Sequence, residues 1–164
     1  MATTSPSTLA DFRGVMIERG DAGYELARRV YNAMIDRRPA LVAQAAGADD
    51  VARLLAYARQ RDLPVAIRGG GHNGAGLGTV DDGIVIDLSA IRGIDVDPRA
   101  RTVRVGGLTL GGGLGHLTRK HGLAIDNLVG ADVVLANGEL VHASKDEHPD
   151  LFWALRGAAG RNSR

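Results

Sequence analysis

Glycine constrains this chain more than any other residue: 23 of its 164 positions are Gly, about twice the usual share of roughly 7%. A large fraction falls in two stretches, 69–78 and 106–115. A flexible linker mixes Gly with Ser, whereas here Gly sits among Leu, Val, Ile and His between strand-like runs. That pattern predicts tight backbone folded around a ligand.

The apolar pattern sets what surrounds those glycines. Residues 41–45 read as a strand, and 49–61 as a helix with Asp49 or Asp50 as N-cap and Val51, Leu54, Leu55 and Ala58 on one face. Pro64 opens a short strand over 65–67 that delivers the chain into the first glycine stretch. Residues 83–88 form a further strand. Residues 91–97 and 101–105 make a hairpin around Asp97-Pro98-Arg99-Ala100, where Pro suits the second turn position. A short helix over 114–121 ends at Gly122. Asn137-Gly138, between 133–136 and 139–143, is a strong hairpin signal. Pro149 starts a last helix over 149–155, with Phe152, Trp153 and Leu155 as core packing. Nearer the start, 9–20 reads as a short helix or part of a tail, and 24–35 as a helix or, near 30–35, a strand. Strand, helix, strand and then hairpins describe an α+β domain, without the repeating βα alternation of a doubly wound sheet.

Charge and composition narrow the partners. With 20 Lys and Arg against 19 Asp and Glu, the net charge of +1 makes no electrostatic case for nucleic acid or an anionic membrane. No cysteine is present, which excludes disulfides and thiolate metal sites and suits a reducing cytoplasm. No apolar run is long enough to span a bilayer, and a secretory leader is not expected. His116 and His121 do not share a helix face, so no metal site is expected there, and His142 and His148 read as solvated.

Gly69, Gly71 and Gly74 match the G-x-G-x-x-G dinucleotide fingerprint, which needs a strand before it and a helix opening inside it. The strand is there, but 75–83 holds too much glycine for the helix, so the Rossmann reading fails. Phosphate binding survives in another form. Successive glycines turn several backbone N–H groups inward as an anion nest, and Arg68 adds positive charge beside it. His72 is open to two readings: a surface turn histidine, or a nucleophile or proton carrier beside a bound cofactor.

Five segments in order resemble the FAD-linked oxidases with the vanillyl-alcohol-oxidase-type (PCMH-type) flavin fold, in their berberine-bridge-enzyme-like branch. They are Val65-Ala66-Ile67-Arg68-Gly69-Gly70-Gly71-His72-Asn73, residues 82–89, Leu108-Thr109-Leu110-Gly111-Gly112-Gly113-Leu114-Gly115, residues 126–134, and Pro149-Asp150-Leu151-Phe152-Trp153-Ala154-Leu155-Arg156-Gly157. The resemblance implies a fold of two small α/β subdomains, incomplete here, with FAD as cofactor. It implies that Arg68, Gly69, Gly70 and Gly71 hold the pyrophosphate, with Asn73 beside them, and that His72 bonds covalently to the flavin 8α carbon. Gly113 and Gly115 would lay backbone against the flavin, although by themselves they also read as a tight turn before a helix. Asn127 and Val129, within the Asn127-to-Gly130 stretch, would approach the cofactor as well. The family reaction is hydride abstraction from an alcohol, amine or sugar with oxygen as acceptor, the flavin doing the redox chemistry.

Two departures from the family pattern shape the expectation. Family members carry a few dozen residues where Val105-Gly106-Gly107-Leu108 joins two segments directly, so an internal deletion is expected near Gly106/Gly107. That stretch bears the second covalent anchor, a cysteine, where one exists; with no cysteine, a single attachment is expected. Family chains also continue past Arg-Gly-Gly-Gly-Gly-Asn-Phe-Gly, whereas this one reads Arg156-Gly157-Ala158-Ala159-Gly160 and ends at Arg164. The expected organisation is an N-terminal segment, 1–36, and a truncated FAD-binding domain, 37–164. A small-molecule substrate is expected only if a substrate domain is supplied, and no catalytic residue is assigned. The rival reading is a non-catalytic flavin-binding remnant or a module that needs a partner chain.

Overall fold

The computed structural model describes residues 9–106 and 118–157. Within the first glycine-bearing half, four short strands form one sheet: β1 (Val15–Glu18), β2 (Leu41–Gln44), β3 (Val65–Arg68) and β4 (Ile84–Asp87), in the order β1-β2-β4-β3. β1 runs antiparallel to β2, while β4 lies parallel to both β2 and β3. β4 is buried on both faces, as its unbroken Ile84-Val85-Ile86 run demands of a central parallel strand. A single helical turn, α1 (Tyr24–Ala27), follows β1, and α2 (Ala48–Gln60) connects β2 to β3 and packs on β4. Val51, Leu54 and Ala58 form its buried stripe, as the helical spacing predicts. On one face of the sheet Val42, Ala66 and Val85 are buried together, with Ile17, Ala27 and Val80 packed against them.

The α2 N-cap differs from expectation. Gly47 occupies it, and neither Asp49 nor Asp50 does. The Asp50 carboxylate, fully buried, instead accepts the backbone N–H groups of Arg13 at 3.1 Å and Ala46 at 2.8 Å. It ties the entry to β1 onto the start of the helix. Residues 9–20, expected as a helix or tail, contain β1, because pairing with β2 satisfies a run too short to be stable alone.

Beyond β4 the chain makes the expected hairpin, β5 (Ile94–Asp97) and β6 (Thr102–Val105). Asp97 Oδ1 holds its turn by accepting the N–H groups of Arg99 and Ala100.

Residues 9–106 form one compact unit with Ala136–Gly138, and the remaining described residues form a second. The second unit opens with the turn α3 (Thr118–His121), which stops where the Gly122 N–H returns to the Thr118 carbonyl. A 3₁₀ turn over Ala124–Asn127 leads into β7 (Gly130–Val134), antiparallel to β8 (Leu140–Ser144), and α4 (Pro149–Gly157) packs on β8. Ile125, Val141, Ala143 and Phe152 are buried. Trp153, expected in the core, is 73% exposed: one residue on from Phe152 turns about 100° around the helix, away from the face that packs. No helix among the described residues is long and apolar enough to cross a membrane.

Candidate functional site

β3 and β4 end side by side, with Arg68 opposite Asp87 in register. In an open sheet, ligands bind in the crevice outside the carboxyl ends of parallel strands, where the connecting loops diverge. Here the loop after β3 is the glycine stretch and the loop after β4 begins at Leu88.

Arg68 does not project into that crevice as a free charge. By strand alternation it shares the face of Ala66 and Val85, and it is 6% exposed. Its Nη2 donates to Asp87 Oδ2 at 2.6 Å and to the Ala27 carbonyl at 2.7 Å, and Nη1 donates to the Arg29 carbonyl at 3.3 Å. Burial pushes the Asp87 carboxyl up, but hydrogen bonds from Arg68 and from the Ser89 N–H outweigh it and hold the group below the ordinary range. The positive charge expected beside the loop is therefore neutralised, and the guanidinium links β3, β4 and the segment after α1.

The loop itself is held by that same segment. The Tyr31 N–H donates to the Gly71 carbonyl at 3.1 Å, and Asn32 Nδ2 to the Gly74 carbonyl at 3.2 Å. Asn73 shapes the turn, its Oδ1 accepting the Leu77 N–H and its carbonyl the Gly76 N–H. Gly76 has φ +74°, and any Cβ there would run into Ile35 Cδ1. No helix follows Gly74, as expected.

Two features of this loop bear on chemistry. Among the described residues no acceptor takes the N–H groups of Gly69, Gly70, Gly71, His72 or Asn73. Five successive donors without a protein partner leave the loop backbone open to the oxygens of an anion. The second feature is His72, which is exposed, with its ring centroid 5.1 Å from that of Tyr31 at an interplanar angle of 47°. Its imidazole folds back over Gly70, where a Cβ would lie 2.8 Å from His72 Cδ2.

Beside Gly69 and Gly70 opens a hollow of about 410 Å³, walled by Ser89, Ile91, Arg92 and Val105. Its volume falls in the range of small-molecule sites. Arg92 Nε donates to the Ser89 carbonyl at 2.6 Å, and its side chain makes no ion pair among the described residues. Ser89 and Arg92 were not singled out from the sequence. The signal was their place just after a strand, but only the β4-beside-β3 order brings them to the glycine loop.

Gly113 and Gly115 lie outside the described residues, as does His116. Asn127 and Val129 belong to the second unit. There Asn127 Nδ2 donates to the carbonyls of His121 at 2.8 Å and Leu123 at 2.9 Å, and Val129 is 70% exposed. His142, expected to be solvated, is half-exposed and sits 2.8 Å from Asp132 Oδ1 across the β7–β8 ladder. No group of His, Asp or Glu among the described residues is arranged to hold a metal ion.

Comparison with known proteins gives this geometry a context. The family model described as "FAD binding domain" matches residues 39–106 and 102–144, two segments that meet at the β6 strand. The chain is 35% identical over 182 positions to (R)-6-hydroxynicotine oxidase of Paenarthrobacter nicotinovorans, covering 93% of this chain and 40% of that protein. The alignment is longer than the chain's 164 residues, so the relative carries residues with no counterpart here. Among solved structures, BBE-like 1 of Physcomitrella patens superposes with a TM-score of 0.84 at 27% identity, over 91% of this chain and 39% of that one. Glucooligosaccharide oxidase of Acremonium strictum, which carries a 6-S-cysteinyl, 8α-N1-histidyl FAD, gives 0.82 at 28% identity, over 92% and 38%. The chain thus spans about 40% of the length of these relatives.

Proposed function

Since the chain belongs to the FAD binding domain family, we propose that the loop from Arg68 to Asn73 is its flavin site and that His72 is the point of covalent attachment. The observation that carries this is the run of five unpartnered N–H groups from Gly69 to Asn73 beside the exposed His72 imidazole. Those donors suit a pyrophosphate, which accepts several hydrogen bonds and needs no single fixed cation. Arg68 serves as the strut that holds the loop. Arg92, bordering the adjacent hollow, supplies the positive charge. Following the family pattern, we assign Gly113 and Gly115 to backbone contact with the flavin and count Asn127 and Val129 among the residues that approach it.

A bound flavin accepts a hydride from an alcohol, amine or sugar and passes the electrons to oxygen, the family reaction we propose for the full catalytic unit. The residues here bind and orient the cofactor. None of them is assigned as a catalytic acid or base, and substrate recognition falls to a substrate-binding part beyond this region. We place the protein in the cytoplasm, a reducing compartment with which a cysteine-free chain is compatible.

The test is retention of flavin. Protein produced with ample riboflavin is expected to be yellow, and its colour to stay with the acid-precipitated pellet. A His72→Ala variant should release its flavin into the supernatant. Colourless wild-type protein that binds no added FAD would refute the flavin site, and acid-stable flavin in His72→Ala would move the anchor elsewhere.

A further inference from the structure

The segment between α1 and β2 has a role that the flavin site alone does not explain. It is tied to the glycine loop and its leading strand at three points: Arg68 Nη1 to the Arg29 carbonyl, the Tyr31 N–H to the Gly71 carbonyl, and Asn32 Nδ2 to the Gly74 carbonyl. At its centre, Tyr31 is 79% exposed. A tyrosine this open on the surface contributes little to a core. Yet its backbone is fixed by the Gly71 hydrogen bond at 3.1 Å, and its ring lies 5.1 Å from the His72 ring. The His72 ring lies against Tyr31 and over Gly70, where the missing Cβ leaves space for Cδ2. An exposed histidine ordinarily samples several rotamers, and packing against the Tyr31 ring favours this one.

We propose that Tyr31 is the positioning residue for flavin attachment, its ring holding the His72 imidazole in the orientation from which it meets the flavin. This rests on the reading of His72 as the attachment point. In the attachment step a bond forms between an imidazole nitrogen and the flavin 8α carbon. The imidazole N–H and one 8α C–H give up their hydrogens. Dioxygen takes both, with two electrons, and leaves as hydrogen peroxide, so the linked flavin ends oxidised. Such a step requires the nitrogen to be held near the carbon, and loss of that alignment slows it steeply.

The experiment follows the growth of acid-stable flavin when apoprotein, produced without riboflavin, is mixed with FAD in air, for wild type, Tyr31→Phe and Tyr31→Leu. Tyr31→Phe keeps the ring and should attach flavin at the wild-type rate. Tyr31→Leu should attach it about 10-fold more slowly or worse, while its total FAD binding by equilibrium dialysis stays near wild type. A flavin-free readout separates positioning from loop folding. The His72 ring proton shifts should be displaced by the Tyr31 ring current, should keep that displacement in Tyr31→Phe and should lose it in Tyr31→Leu. Equal attachment rates in Tyr31→Leu and wild type would overturn the inference. A parallel loss of total FAD binding would overturn it too, by making Tyr31 a structural residue. Absence of acid-stable flavin in wild type would instead defeat the reading of His72 itself.

Discussion

Replacing Asp87 with asparagine removes one charge from a pair closed off on both sides, since the side chains of Arg68 and Asp87 are only 7% and 6% exposed. The guanidinium then stays buried without its counter-charge. Removing one partner of a buried ion pair costs about 3–5 kcal/mol. Arg68 keeps its carbonyl acceptors at Ala27 and Arg29, and asparagine still offers an oxygen to the Ser89 N–H. The lower end, about 3 kcal/mol, is therefore expected. With a urea m-value of about 2 kcal/mol per molar, the unfolding midpoint should fall by roughly 1.5 M. The double variant Arg68→Met, Asp87→Leu should recover much of that stability, because it leaves no orphaned charge. It should nevertheless bind flavin more weakly, having lost the strut to Ala27 and Arg29. The pH dependence follows in sign. Asp87 has its carboxyl lowered from an ordinary 3.8. Its contribution is thus complete above that value and disappears as pH falls through the lower folded-state value. Asp87→Asn should accordingly show a shallower loss of stability in acid. A midpoint shift under about 0.3 M for Asp87→Asn would refute the reasoning, since it would mean the charge is not buried and paired as described.

Other substitutions probe separate links. Leu54→Ala, at a fully buried position of α2, should cost about 2–5 kcal/mol in the same urea assay. Gly76→Ala combines φ +74° with a collision at Ile35; it should cost about 1–2 kcal/mol from the backbone alone and loosen the loop enough to weaken FAD binding. Gly70→Ala has no such backbone penalty, but its Cβ would fall 2.8 Å from His72 Cδ2. It should lower acid-stable flavin while leaving the unfolding free energy within about 1 kcal/mol of wild type.

Many elements of both units were legible because they depend on local signals. The helix α2, the strands β2, β3 and β4, and both hairpins follow from apolar periodicity and turn residues such as Asn137-Gly138. The segment 24–35 was not legible as it stands. Tertiary bonds take the groups a longer helix would need: the Ala27 carbonyl accepts from Arg68, and the Tyr31 N–H donates to Gly71. The same long-range pairing explains Arg68. From sequence it reads as the positive charge beside a phosphate loop, and only the register of β3 against β4 reveals Asp87, nineteen residues on, as its partner. Trp153 was misjudged for a simpler reason, since apolar character does not reveal helix phase at the edge of a buried stripe. His72 and the glycines stood out in the sequence by residue type and spacing, whereas Tyr31, beside the His72 ring, had no sequence signature.

Covalent attachment at His72 is tested most directly by one mass measurement. Trypsin cleaves after Arg68 and Arg92, so the peptide spanning 69–92 contains His72 as its one histidine. From protein produced with ample flavin, that peptide should carry the added mass of FAD, and its fragment ions should place the addition on His72. Recovery of only the unmodified peptide under those conditions would contradict covalent attachment at this site.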